Sequence, residues 1–159
     1  MLLMKKVFYI NDKLRGLLSN IIYDIQNYNS TIIKYVEIMS NGIDSFDYIE
    51  ESKKSILRQS FLIDKVMKMF YDFNDINSNN LVLNKNFESI DKIIKNIAND
   101  FEDLFLSKRI KVKFENEGNK NNYKALLDKS KIDNAISSIF LFIYNMAKVN
   151  SFISISHGL

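Results

Sequence analysis

His157 is the only imidazole in the chain, and there is no cysteine. One imidazole excludes any site that needs two histidines. The lack of cysteine excludes a disulfide, a thiol nucleophile and a Cys-based zinc centre. His157 itself falls at the end of a strand or tail. It reads as a solvated terminal residue rather than as a reactive group. Charge is the other source of chemistry. The net charge is +3, with 10 basic and 10 acidic side chains in residues 1–80 and 12 and 9 in residues 81–159. Neither half holds the dense basic patch of a nucleic-acid binder, so no nucleic acid is expected as a partner.

These groups need elements to hold them. The 159 residues are 47% hydrophobic and 26% charged, a globular composition with room for one domain or two small ones. There is no proline and only four glycines, so long uninterrupted helices are permitted. From Lys5 to about Ser40 the apolar residues recur at Val7, Ile10, Leu14, Leu17, Ile21, Ile25, Tyr28, Ile32, Tyr35 and Met39. Steps of three and four make a helical stripe with near-heptad spacing. A helix of roughly 35 residues is about 50 Å long, too long for a small globule to bury. Asn41-Gly42-Ile43-Asp44-Ser45 breaks it, with Gly42 as a C-cap and Asp44 or Ser45 as the next N-cap. A second stripe runs through Ile49, Ile56, Ile63, Val66, Phe70, Phe73 and Ile76, ending at Asn77-Ser78-Asn79-Asn80. Residues 1–78 are therefore expected to be a long antiparallel helical hairpin. Leu18, Ile22, Ile33, Val36, Phe61, Leu62, Met67 and Met69 fall off the single seam. Pairing two hairpins in a homodimeric four-helix bundle would cover them.

Residues 79–159 change period. Leu81-Val82-Leu83 is a strand candidate. Phe87 to Ser107 reads as a helix with Ile90, Ile93, Ile94, Ile97, Phe101, Leu104 and Phe105 on one face. Ile110, Val112 and Phe114 alternate with Lys111 and Lys113, the pattern of a half-buried strand. A turn over Glu117–Asn122 leads to a strand at Tyr123–Leu127. Asp128 is an N-cap for a helix over 129–148, and Phe152–Ser156 is a last strand. The order β-α-β-β-α-β makes this half a small α/β sandwich and the whole chain α+β. The most apolar run, Ile136–Met146, is too short to span a bilayer, and the N-terminus lacks the layout of a signal peptide. A cytoplasmic protein with no membrane partner is expected.

A helical hairpin feeding a small α/β layer resembles bacterial sensor histidine kinases, which join a dimerisation and phosphotransfer hairpin to an ATP-binding domain. Asp12-Lys13-Leu14-Arg15-Gly16-Leu17-Leu18 looks like the family's H-E-L-R-T-P-L box. Phe73-Asn74-Asp75-Ile76 through Leu81-Val82-Leu83, Phe87 and Ile90 is similar to its link into the ATPase domain. Lys108-Arg109-Ile110-Lys111-Val112 matches its second strand. Leu127-Asp128, Lys131-Ile132, Ala135-Ile136 and Ile139-Phe140 follow its D-x-x-R-L-x-x-V-L-x-N-L-L helix. The layout is also similar to sporulation-type phosphorelay phosphotransferases.

The departures from the family pattern carry the functional expectation. The phosphorylated histidine falls at Asp12, and a carboxylate has no nitrogen nucleophile. The acid that follows it is Lys13, and the helix-bending proline is Leu17. The magnesium-binding asparagine falls at Phe142, whose ring offers no oxygen to a hard cation, and the asparagine one turn earlier is Ser138. A one-turn slip would put Asn145 in that role. The family's glycine boxes and lid would follow Leu159. The resemblance therefore implies a degenerate, truncated histidine kinase with no ATP, metal or cofactor and no autokinase activity.

A family member without chemistry keeps its surfaces. In the family a receiver domain docks on the hairpin just beyond the acceptor box. Here that implies Arg15, Ser19, Ile22, Tyr23 and Gln26 on the first helix, with Phe61, Lys65 and Lys68 on the second. Ile22 and Phe61 would be apolar contacts, or alternatively ordinary core. The lysines would face an acidic receiver, or alternatively only solvent. The expected function is an inactive adaptor for a response regulator receiver domain or a sensor histidine kinase. A phosphorelay phosphotransferase and a dimeric scaffold unrelated to signalling are the alternatives. Phe140, Ile143 and Ile153 are expected to form an apolar surface on the truncated sheet, sealed either by the hairpin or by a partner.

Overall fold

The computed structural model describes residues 2–41, 45–78, 81–115 and 124–156, with side chains from Arg15 onward. Gly42, Asp44, the Glu117–Asn122 turn and His157 lie outside the described residues, as does the side chain of Asp12. The chain forms two compact units, Met1–Phe70 and Tyr71–Leu159.

The first unit holds α1 (Leu2–Ser40) and α2 (Phe46–Asn77), of which the last seven residues, Tyr71–Asn77, fall in the second unit. Residues 41–45 separate the two helices, a connection short enough to permit the antiparallel hairpin expected from the sequence. Ser45 stands at the N-cap position of α2, its carbonyl accepting from the Tyr48 and Ile49 amides at 3.1 Å. On α1 the stripe Leu17, Ile21, Ile25, Tyr28, Ile32, Tyr35 and Met39 is half-buried throughout, as its spacing predicts. On α2 the buried face is rotated from the expected one. Ser52, Ser55, Leu62 and Val66 are buried, whereas Ile49, Ile56 and Ile63 are only half-buried and Ile76 is exposed. Leu62, expected off the seam, is 2% exposed. Serine on the buried face leaves room for close approach, and its hydroxyl need not go unsatisfied. Ser52 donates to the Tyr48 carbonyl at 2.8 Å, and Ser55 accepts from Arg58 at 2.8 Å. A periodicity counted in apolar residues alone passes over such positions.

The second unit runs β1 (Asn86–Ser89), α3 (Ile90–Asp100), α4 (Glu102–Ser107), β2 (Lys111–Phe114), β3 (Lys124–Leu127), α5 (Lys129–Met146) and β4 (Phe152–Ile155). Its strands form two pairs: β1 with β3 antiparallel, and β2 with β4 parallel. Leu81-Val82-Leu83 is not a strand. The Asn84 amide donates to the Asp128 carboxylate at 2.7 Å, and pairing begins two residues later at Asn86↔Leu127. Phe87 to Ser107 is not one helix. Phe87 is in β1, and Ser89 caps α3 by accepting from the Lys92 amide. The helix breaks at Phe101, which has φ −91° and ψ −1°, and restarts as α4. The apolar stripe nevertheless crosses the break. Ile93, Ile97, Phe101, Leu104 and Phe105 are all buried, joined by Ile110, Phe140 and Leu141. The rings of Phe101, Phe105 and Phe140 meet at centroid distances of 5.6–5.9 Å, in tilted and edge-on contacts that favour aromatic pairs. Phe140 is covered within the second unit itself, by Phe101 and Phe105, and not by the hairpin or a partner, and Ile143 and Ile153 are half-buried. The exposed apolar residues of this region are instead Ile139, Phe142, Met146, Val149 and Phe152.

Candidate functional site

Positions 15, 19, 22 and 26 step by four, three and four, so they share one face of α1, with Tyr23 on its flank. Arg15, Ser19 and Gln26 are exposed, and Ile22 and Tyr23 are 54% and 64% exposed. Ile22 therefore lies outside the core of the single chain. Apart from α1's own neighbouring backbone, no described atom lies within 4 Å of the place a Gly16 Cβ would take. On α2, Phe61 and Lys65 are one turn apart and half-buried, with the Lys65 ammonium 5.0 Å from the centre of the Phe61 ring. Lys68 pairs with Asp64 at 2.7 Å, both about half exposed. That pair tempers the positive face expected from the sequence, though a solvated i,i+4 pair holds its partners weakly. Asp12 lies in α1, one turn before the start of this face.

In the second unit, α5 carries Ser138, Phe142 and Asn145, the positions at which the sequence resemblance expects nucleotide and magnesium ligands. The Asp128 carboxylate accepts from the Lys131 amide at 3.1 Å, and so caps α5 as its position predicts. With the Asn84 bond added, its pKa is held below the ordinary aspartate value, the Asn84 amide being the largest cause and the Lys131 amide the next. One turn apart on α5 stand Ser138 and Phe142. The Ser138 hydroxyl is turned back onto the Asn134 carbonyl at 2.7 Å, and Phe142 is 65% exposed. Asn145, the alternative ligand, is exposed. Among the described residues no group of three or more His, Asp or Glu is arranged to hold a metal ion.

A polar cluster that sequence reading missed joins the last turns of α2 to the first turns of α5. Asp72 accepts from the Lys131 ammonium and, through its other oxygen, from the Asn134 amide at 2.6 Å. Asp75 lies 3.4 Å from the same ammonium. The paired Asp72 and Lys131 side chains are only 19% and 27% exposed. The Lys131 pKa is raised, chiefly by the hydrogen bond to Asp72. Together with the Asp128–Asn84 bond, these contacts fix both ends of the segment between α2 and β1. Residues some sixty positions apart show no local pattern, so only the fold brings them together.

No protein-family profile matches the chain, and no curated protein sequence does. Among solved structures, the chain is similar to the histidine kinase AdeS of Acinetobacter baumannii, with 9% identity and a TM-score of 0.49 over 84% of this chain and 64% of that one. It is also similar to the histidine kinase ThkA in its complex with the response regulator protein TrrA, with 15% identity and a TM-score of 0.47 over 92% of this chain. The chain spans 64% and 43% of the lengths of these two proteins. No helix among the described residues is long and apolar enough to cross a membrane.

Proposed function

We propose that this chain is a histidine-kinase-like adaptor that docks a response regulator receiver domain and transfers no phosphate itself. The observation that carries the reading is the open face of α1. Arg15, Ser19, Ile22 and Gln26 stand exposed at helical spacing, directly beyond the acceptor position of the box that resembles the kinase motif. Ile22 supplies the apolar contact, and Arg15, with Lys65 across on α2, supplies charge toward an acidic surface. Inactivity is supported by side-chain chemistry. Asp12 offers oxygen where a phosphohistidine needs nitrogen, and Phe142 offers a hydrocarbon ring where a nucleotide's magnesium needs oxygen. Further along α1, Ile33 and Val36 are 49% and 44% exposed, and Leu57 on α2 is 69% exposed. These support pairing of the two helices with a second copy in a four-helix bundle.

The test is calorimetric titration of the full chain with receiver domains of its own organism, repeated with Ile22→Asp and Lys65→Glu. Half-burying an isoleucine contributes roughly 1–1.5 kcal/mol, so Ile22→Asp weakens binding by about tenfold or more. Binding that neither substitution changes would place the receiver elsewhere and remove the basis for this reading.

A further inference from the structure

Strands β2 and β4 run parallel, so the turn that leads into each lies at the same end of the second unit. Hydrogen bonds knit these two turns together. The Asn150 amide donates to the Lys108 carbonyl, and the Lys111 amide to the Ser151 carbonyl, both at 3.1 Å. The Lys108 ammonium donates to the Tyr144 carbonyl at 2.7 Å and sits 4.1 Å from the centre of that tyrosine's ring. Four large apolar side chains project from this braced end: Leu106, Met146, Val149 and Phe152, each at least 60% exposed. Around them Arg109, Lys111, Lys113 and Lys148 are exposed. Residues 104–114 and 134–156 contain no aspartate or glutamate, and the acids that flank them in sequence stand elsewhere: Glu102 and Asp103 at the far end of α4, Glu115 after β2, and Asp133 near the start of α5.

Arg109 adds a separate observation. The Ile110 amide bonds to the Phe105 carbonyl and the Arg109 amide to that of Leu106, the two-bond ending that usually places glycine in the left-handed position. Here that residue is Arg109, with φ 55°. A side chain in this conformation is strained, and such residues concentrate at functional places. The strain is borne by an exposed cation in the turn that leads into β2.

We propose that this end of the second unit is a peripheral docking surface for anionic lipid bilayers. The mix of side chains distinguishes this partner from others. Protein interfaces are depleted in lysine, whereas lysines beside protruding apolar groups suit a negatively charged headgroup layer over an acyl interior. Single-stranded nucleic acid would need stacking faces, and three of the four projecting groups are aliphatic. The expectation of no membrane partner rests on the absence of a spanning segment, which is a separate matter from a surface lying on headgroups. The inference does not depend on the receiver-binding face of α1.

The test is co-sedimentation of the full chain with vesicles of phosphatidylcholine alone and with about one-third phosphatidylserine. Binding to the anionic vesicles is expected to be tighter by about tenfold or more and to weaken in high salt. Lys111→Ala and Lys113→Ala each lower it by about fivefold, and Leu106→Ser or Phe152→Ser by about tenfold. All four side chains are exposed, so the variants keep the fold. Sedimentation with neither vesicle, or equally with both, overturns the proposal. So does binding of a single-stranded oligonucleotide that depends on Phe152 and the lysines but not on Leu106.

Discussion

Asp72 is the residue whose loss is most informative for the second unit. It accepts one hydrogen bond from a charged ammonium and one from an amide, on two different oxygens. Charge-assisted hydrogen bonds contribute about 1.5–3 kcal/mol when well buried, and exposed ion pairs less than about 1 kcal/mol. Asp72 and Lys131 keep 19% and 27% of their side-chain surface in water, so the pair lies between these limits. Asp75, at 3.4 Å and 44% exposed, takes over part of the ammonium when Asp72 is gone. The Asn134 side-chain amide loses its carboxylate acceptor. Asp72→Ala is therefore expected to destabilise the second unit by about 2 kcal/mol, which is roughly 30-fold faster hydrogen exchange at the most protected α5 amides. Exchange is the appropriate assay because a two-unit chain need not unfold in one step. Lys131→Met keeps the aliphatic stem and removes the charge. In a double-mutant cycle the two changes should couple by about 1 kcal/mol. Additive effects would show that the cluster is an ordinary solvated contact and refute the reasoning.

Two further predictions concern the same unit. Phe101 is fully buried against Phe105 and Phe140, so Phe101→Ala should cost about 3–5 kcal/mol and abolish protection in α3 and α5 together. Asp128 has a lowered folded pKa, so its stabilising contribution is present above the usual aspartate value and is lost as pH falls through the folded value. Denaturation midpoints measured between about pH 5 and pH 2 should thus converge for the natural chain and Asp128→Asn, whereas a constant gap would contradict this linkage.

The sequence makes legible those features whose signal is local. The α1 stripe from Leu17 to Met39, the Asp128 cap, and the alternation in β2 and β4 each follow from residues a few positions apart. Features set by partners distant in sequence are not legible. Leu81–Leu83 has strand-forming residues, yet pairing goes to Asn86–Ser89, because β3 and the Asp128–Asn84 bond set where the ladder starts. Ser52 and Ser55 carry no apolar signal, although they stand on the buried face of α2. For the site, the spacing of Arg15, Ser19, Ile22 and Gln26 predicts a shared face, and their exposure follows from the seam lying elsewhere on α1. The Asp72–Lys131–Asn134 cluster spans two helices far apart in the chain, and only the fold assembles it.

As proposed, this chain binds a receiver domain but takes no phosphate from it. The direct measurement mixes the full chain with receiver domains labelled on their phosphoryl group, then records complex formation and the location of the label together. The expected result is a complex with all label on the receiver or released as phosphate, and label on this chain only when Asp12→His supplies an imidazole at position 12; label on the unsubstituted chain would overturn the proposal.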